Sequence, residues 1–165
     1  MPLVDALLPE FDHEMTLTRN LLQRVPDDRL AWKPHAKSMS VGGLATHLSN
    51  LPWWGLITVT EPEFDLASFG RQDEATSRAQ ILETFDRNVS ATRAALQGKS
   101  DAELMVPWTL KRAGQAIFSM PKAAVWRSFV LSHVIHHRGQ LSVYLRLTNT
   151  PVPSIYGPSA DEGGM

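Results

Sequence analysis

Three of the six histidines in this 165-residue chain fall inside "HVIHH", residues 133–137. Imidazole binds metals, exchanges protons near neutral pH and hydrogen-bonds through either ring nitrogen. The cluster therefore raises three readings: a metal site, a proton-transfer site, or a helix surface. Residues four apart on a helix lie about 40° from one another after a full turn. His133 and His137 then share a face, and Phe129, Leu141 and Leu145 extend the same stripe, so that face is expected to point inward. His136 lies about 100° round from His137. It is read as a surface or supporting residue before a catalytic one.

Two imidazoles on one helix make half a site. Zinc-like catalytic sites commonly take three protein ligands and keep a position for water or substrate. The third ligand must come from another element, and His47 in "GGLATHLSN" is best placed, because it sits among apolar residues where a lone imidazole lacks a partner. His13 lies in an acidic stretch expected to be exposed, and His35 follows Pro34 in a connector. The competing reading is a set of core histidines satisfied by hydrogen bonds. Residue 134 is Val, so the HExxH pattern is absent and a metalloprotease is disfavoured. There is no cysteine. Thiolate ligands, disulfides and a cysteine nucleophile are excluded, and any thiol chemistry must import its thiol.

Four helical segments can position these residues. Residues 3–25 repeat apolar side chains at steps of three and four, with Pro9 opening or kinking the helix. A connector, 25–40, leads to a mostly apolar helix over 41–60, capped by Ser40 and expected to bend or end at Pro52. Residues 61–75 read as a polar loop. A third amphipathic helix spans 78–98, with Ile81, Phe85, Val89, Thr92 and Leu96 on its seam. "MVPWTL" and "QAIFSM" flank Lys-Arg-Ala-Gly as a hairpin-like excursion, Pro107 demoting the first run to an edge. The last helix, 122–148, is apolar almost all round and is expected to be the most buried, with an irregular tail after it. The fold class is all-α: a four-helix bundle with a small hairpin-like excursion before the last helix, in one domain over 1–165.

Composition narrows the partners. Sixteen basic against seventeen acidic residues leave a formal charge of −1, with no block of like charge to neutralise nucleic acid or seek an acidic membrane. No window approaches the length of a membrane span, and the N-terminus lacks a basic leader region. The expectation is a soluble, cytoplasmic protein acting on a small molecule.

"LAWKPHAKSMSVGGLATHL", then "SHVIHHRGQLSVYLRL", then "PVPSIYGPSADE" together resemble the DinB-like (damage-inducible) family over nearly the whole chain. The resemblance implies a four-helix bundle carrying one divalent ion, zinc or nickel among those associated with the fold, on His47, His133 and His137. It also implies a homodimer. Better understood relatives use low-molecular-weight thiols (bacillithiol, mycothiol or glutathione), some to attack electrophiles and one group to isomerise maleylpyruvate. The activity this implies is a metal-dependent thiol transferase acting through a metal-activated thiolate. A metal-dependent hydrolase and a non-catalytic metal-binding stress-response protein are the alternatives. Arg138 is read as an exposed ion-pair partner before an anion-binding residue, Gln140 as a residue orienting a ligand, Trp54 as core before pocket wall, and Tyr144 as a donor to a bound substrate or a packing residue with its hydroxyl satisfied. The tail from Tyr156 to Glu162 is expected to pack over the bundle.

Overall fold

The computed structural model describes residues 1–70 and 73–163. Arg71 and Gln72 of the expected 61–75 loop, and Gly164 and Met165 of the tail, lie outside the described residues. Helix α1 runs Leu3–Leu22 and buries Phe11, Met15, Leu21 and Leu22, the stripe its apolar spacing dictates. Pro9 lies inside it, so the helix starts at Leu3, six residues before the proline.

Helix α2, Val41–Thr60, starts at Ser40, whose Oγ accepts the Gly43 N–H at 2.8 Å. It does not stop at Pro52. A proline inside a helix removes one backbone bond and strains the turn before it, and α3, Arg78–Leu96, contributes side-chain donors to carbonyls on either side of that turn. Asn88 Nδ2 donates to the Ser49 carbonyl at 3.0 Å, and Thr92 Oγ1 donates to the Pro52 carbonyl at 2.7 Å. Tertiary hydrogen bonds thus brace α2 against α3 at the turn that contains Pro52.

A short helix α4, Asp101–Leu104, leads to the hairpin β2 (Pro107–Arg112) and β3 (Gln115–Pro121). The hairpin is as expected, but its position differs. Strand β1, Glu63–Asp65, pairs parallel to β2 with Phe64 opposite Leu110, so the order is β1-β2-β3 and β2 is central. Pro107 is tolerated because it is the first residue of β2, where its missing N–H leaves few ladder bonds unmade. Three residues of β1 are too few to show alternation, which is why the segment read as loop. Asp65 ties the pieces together. Its carboxylate accepts N–H groups from Ala113 and Gly114, at 2.9 and 2.7 Å, in the hairpin turn where both residues have positive φ.

The last helical stretch is α5, Lys122–Val125, a wide π turn, Trp126–Leu131, and α6, Ser132–Leu147. Thirteen residues of α2 are buried, against nine over the whole last helical stretch: Lys122, Val125, Trp126, Val130, Leu131, Val134, Arg138, Leu141 and Leu145. The most buried helix is therefore α2 and not the last one. It packs between α3 and α6, whereas α6 leaves an outer face with Val143 and Leu147 exposed. The molecule is an all-α bundle of α1, α2, α3 and the last helical stretch, with a small three-stranded sheet at one side.

Candidate metal centre

His47 projects from α2, and His133 and His137 from α6. Each offers one ring nitrogen such that the three lie within 4.8 Å of one another. The Nε2 atoms of His47 and His133 are 3.3 Å apart. Two nitrogens bound at about 2.0–2.1 Å to one tetrahedral ion stand about 3.3–3.4 Å apart. The spacing therefore fits a shared ion, and the donor set suits zinc-like metals. Ring centroids are 5.1 Å apart for His47–His133, 4.5 Å for His47–His137 and 4.7 Å for His133–His137.

Burial reinforces this. His47 and His133 are pushed down to about 4, first by desolvation and then by the neighbouring imidazoles. His137 is lowered as well, chiefly by desolvation, against the raising effect of Gln140. All three rings are neutral at neutral pH, the state that binds metal. His137 Nδ1 and Gln140 Oε1 are 2.7 Å apart. The carbonyl oxygen can only accept, so Nδ1 carries the proton and Nε2 is left bare. This is the orienting role expected of Gln140.

Phe129 stands 5.8 Å from His133 and meets Trp54 edge-on, so Trp54 belongs to an aromatic wall two rings from the cluster. Tyr144 packs edge-on against Trp32 at 5.9 Å. His133 and the exposed His136 line a depression of about 350 Å³ with Ser128, Phe129 and Ser132. His47 lines another, of about 230 Å³, with Met39, Gly43, Thr46 and Glu74. A larger hollow, about 550 Å³, lies between α2 and α3 and contains no histidine. His13 and His35 are exposed and take no part.

Arg138 departs from expectation. It is 1% exposed and faces α1, where its Nη2 meets Glu14 Oε2 at 2.6 Å. Nη1 donates to the Glu14 carbonyl at 3.0 Å and to Thr18 Oγ1 at 3.2 Å. The Tyr156 hydroxyl, from the tail, donates to the Glu14 carboxylate at 2.8 Å and accepts from Arg138. The tail packs over the bundle as expected, tied by Arg146–Asp161 and Arg24–Glu162 pairs. Nothing in the spacing of Arg138 announces a partner 124 residues away. The only available signal is a cation inside an apolar stretch.

A match to the DinB family spans residues 2–163. The uncharacterized protein YrdA of Bacillus subtilis is 26% identical over 163 residues, covering 96% of this chain and 91% of its own length. A DinB-like protein of Bacillus cereus superposes with a TM-score of 0.72 at 21% identity, over 92% of this chain and 97% of its own. A DinB-like protein of Bacillus subtilis, YjoA, gives 0.69 at 19%, over 97% and 99%. At these identities the two structures speak for the fold alone. Among the described residues, no helix is long and apolar enough to cross a membrane.

Proposed function

The chain belongs to the DinB family, and from that premise we propose that it is a divalent-metal-dependent enzyme transferring a low-molecular-weight thiol to a small electrophile. His47, His133 and His137 hold the ion, zinc or nickel. The observation that carries this is the convergence of three neutral imidazoles from two helices, with two Nε2 atoms at ligand spacing. Three neutral ligands leave the ion its full charge, and such an ion lowers the pKa of a bound water or thiol toward neutrality. Gln140 fixes the His137 tautomer. Phe129 and the depression beside His133 give an apolar seat next to the ion for the body of the electrophile. The lack of cysteine supports a thiol brought as cosubstrate.

The test is elemental analysis of tag-free protein, followed by conjugation of 1-chloro-2,4-dinitrobenzene with and without added thiol. The expected result is one divalent ion per chain, lost in His133→Ala, with turnover that needs both thiol and metal. Turnover of activated esters without thiol would replace the transferase by a hydrolase. Stoichiometric metal with no turnover would favour a metal-binding stress-response protein. Absence of stoichiometric metal would overturn the site. The same proposal includes a homodimer, read by sizing with light scattering, and a cytoplasmic location.

A further inference from the structure

We infer that Glu74 is the proton acceptor of the histidine site, acting through water in the depression it shares with His47. This rests on the metal reading above.

Glu74 is held over the start of α2 by a built seat. Its Oε2 accepts from Ser40 Oγ at 2.9 Å, the same hydroxyl that caps α2. The next residue, Ala75, donates its N–H to Thr46 Oγ1 at 2.9 Å. Two hydrogen bonds thus pin residues 74 and 75 to the first two turns of the helix. Gly43 lies between them. A Cβ at Gly43 would stand 2.9 Å from Glu74 Oε1 and 3.0 Å from Ser40 Oγ. The carboxylate occupies the space a side chain would fill, so this glycine serves close approach and not backbone freedom.

Only one carboxylate oxygen is used by the seat. Among the described residues no donor reaches Oε1, and Glu74, itself exposed, lines the open depression of about 230 Å³ with Met39, Gly43, Thr46 and His47. At about 30 Å³ per water that volume takes several molecules. His47 is one turn beyond Gly43. Glu74 is not among the three groups whose ligand atoms converge, so it stands beside the ion's position and not on it. A carboxylate connected by water to a ligand that ionises at a metal is suited to take its proton. In that step the O–H or S–H bond of the ionising molecule breaks and its electron pair stays on oxygen or sulfur. The proton passes along water to Glu74 Oε1, and nothing is oxidised or reduced. Among the described residues, the charged groups of the adjoining depression are Asp73, Glu83 and Arg87; His133 and His137 converge with His47, and the exposed His136 lines the depression beside His133.

The alternative is that Glu74 merely anchors the start of α2. The midpoint of a cobalt titration reports whether its charge stands near the ion. Rescue of Glu74→Gln turnover by added formate, which a lost anchor would not show, reports whether it takes the proton, so absence of rescue also overturns the inference. Tag-free protein is loaded with cobalt(II), and its visible spectrum is followed from about pH 5 to pH 9. The midpoint reports ionisation of the molecule the ion carries. Glu74→Gln removes a nearby negative charge that disfavours ionisation, so the midpoint falls by about half a unit or more. Gly43→Ala, which displaces the carboxylate, moves it the same way. Glu63→Gln, in the sheet and paired with Lys111, leaves it in place. An unmoved midpoint in both Glu74→Gln and Gly43→Ala overturns the inference, whatever their melting temperatures. So does a wild-type spectrum with no midpoint in this range, or loss of cobalt in Glu74→Gln, which would make Glu74 a ligand. Failure of wild-type protein to take up cobalt overturns the metal reading itself, a different and recognisable outcome.

Discussion

Helix α6 carries two polar clusters through adjacent residues. His137 turns toward α2 and Arg138 toward α1. Around Arg138 every group is answered: Glu14 by carbonyl and carboxylate, Thr18 by hydroxyl, and Tyr156 as a bridge. Around His137, Gln140 is the one partner among the described residues, and one nitrogen from each of the three imidazoles faces the others. Burying polar groups costs free energy unless they are paired. The first cluster meets that demand within the chain, so it is structural. The second is half-buried and turns one nitrogen of each ring toward a common point, and this is what a binding site looks like in physical terms.

The contrast is tested most severely at Arg138. Arg138→Ala strands a Glu14 carboxylate that is 7% exposed, and removing one partner of a buried pair costs about 3–5 kcal/mol. Urea denaturation should show that loss with little change in metal stoichiometry per folded chain. A cost below about 1 kcal/mol would mean the cluster is wetter than described. The double change Glu14→Met with Arg138→Met should recover most of the loss, because replacing a buried pair by apolar residues is often neutral.

The next largest effect lies on the other side of the helix and has the opposite character. His133→Ala should weaken zinc binding at least about 100-fold in competition titrations, since it removes a ligand and not merely a supporting group. The metal-free fold should lose little, because an imidazole without a full set of partners contributes little. If His133→Ala instead unfolded the metal-free chain as Arg138→Ala does, the two clusters would be alike and the metal reading would fail.

The two clusters also differ in how far the sequence discloses them. His133 and His137 are legible because a helix repeats its face every four residues, and His47 because an imidazole among apolar residues asks for a partner. The cap at Ser40 and the hairpin about Ala113–Gly114 are legible from local rules too. Arg138 is not, since its partners lie 120 and 124 residues back, on α1. Glu74 is hidden for the same reason, being brought to α2 by a loop. The α2 turn at Pro52 is braced by Asn88 and Thr92 of another helix, and β1 depends on a strand more than 40 residues later. Local spacing reveals what one element decides alone, and each of these failures is a long-range pairing.

Smaller changes sharpen the difference. Gln140→Ala frees the His137 ring to turn, and loss of such an orienting partner typically costs about 10–100-fold in metal affinity. Isothermal titration with zinc should show the lower part of that range, because Gln140 is exposed; an unchanged affinity would remove it from the site. Acid should act on the same cluster. With His47 and His133 at about 4 in the fold and near 6.5 when unfolded, the unfolded chain binds more protons between those values. Stability of chelator-treated protein therefore falls as pH drops from about 6.5 toward 4, and levels off below. Melting scans at pH 7 and 4.5 should show the drop, and His133→Ala should flatten it.

The smallest effect concerns Tyr156, whose ring is largely exposed while its hydroxyl reaches the buried pair. Tyr156→Phe keeps the ring over Arg138, 5.0 Å from guanidinium to centroid, and deletes only the bridge. Glu14 and Arg138 keep each other, so the cost should be about 1 kcal/mol, that of one hydrogen bond. Burial of the hydroxyl and the Glu14 carboxylate raise the Tyr156 phenol above its ordinary value. The unfolded chain then loses that proton first, so the bridge's contribution is complete below about pH 10 and is lost as pH rises through the folded value. Tyr156→Phe should accordingly be less sensitive to alkali than the native chain, while its zinc affinity stays unchanged. A fall in zinc affinity in this variant would show that the closed cluster on one side of α6 controls the open one on the other, and the separation drawn between them would have to go.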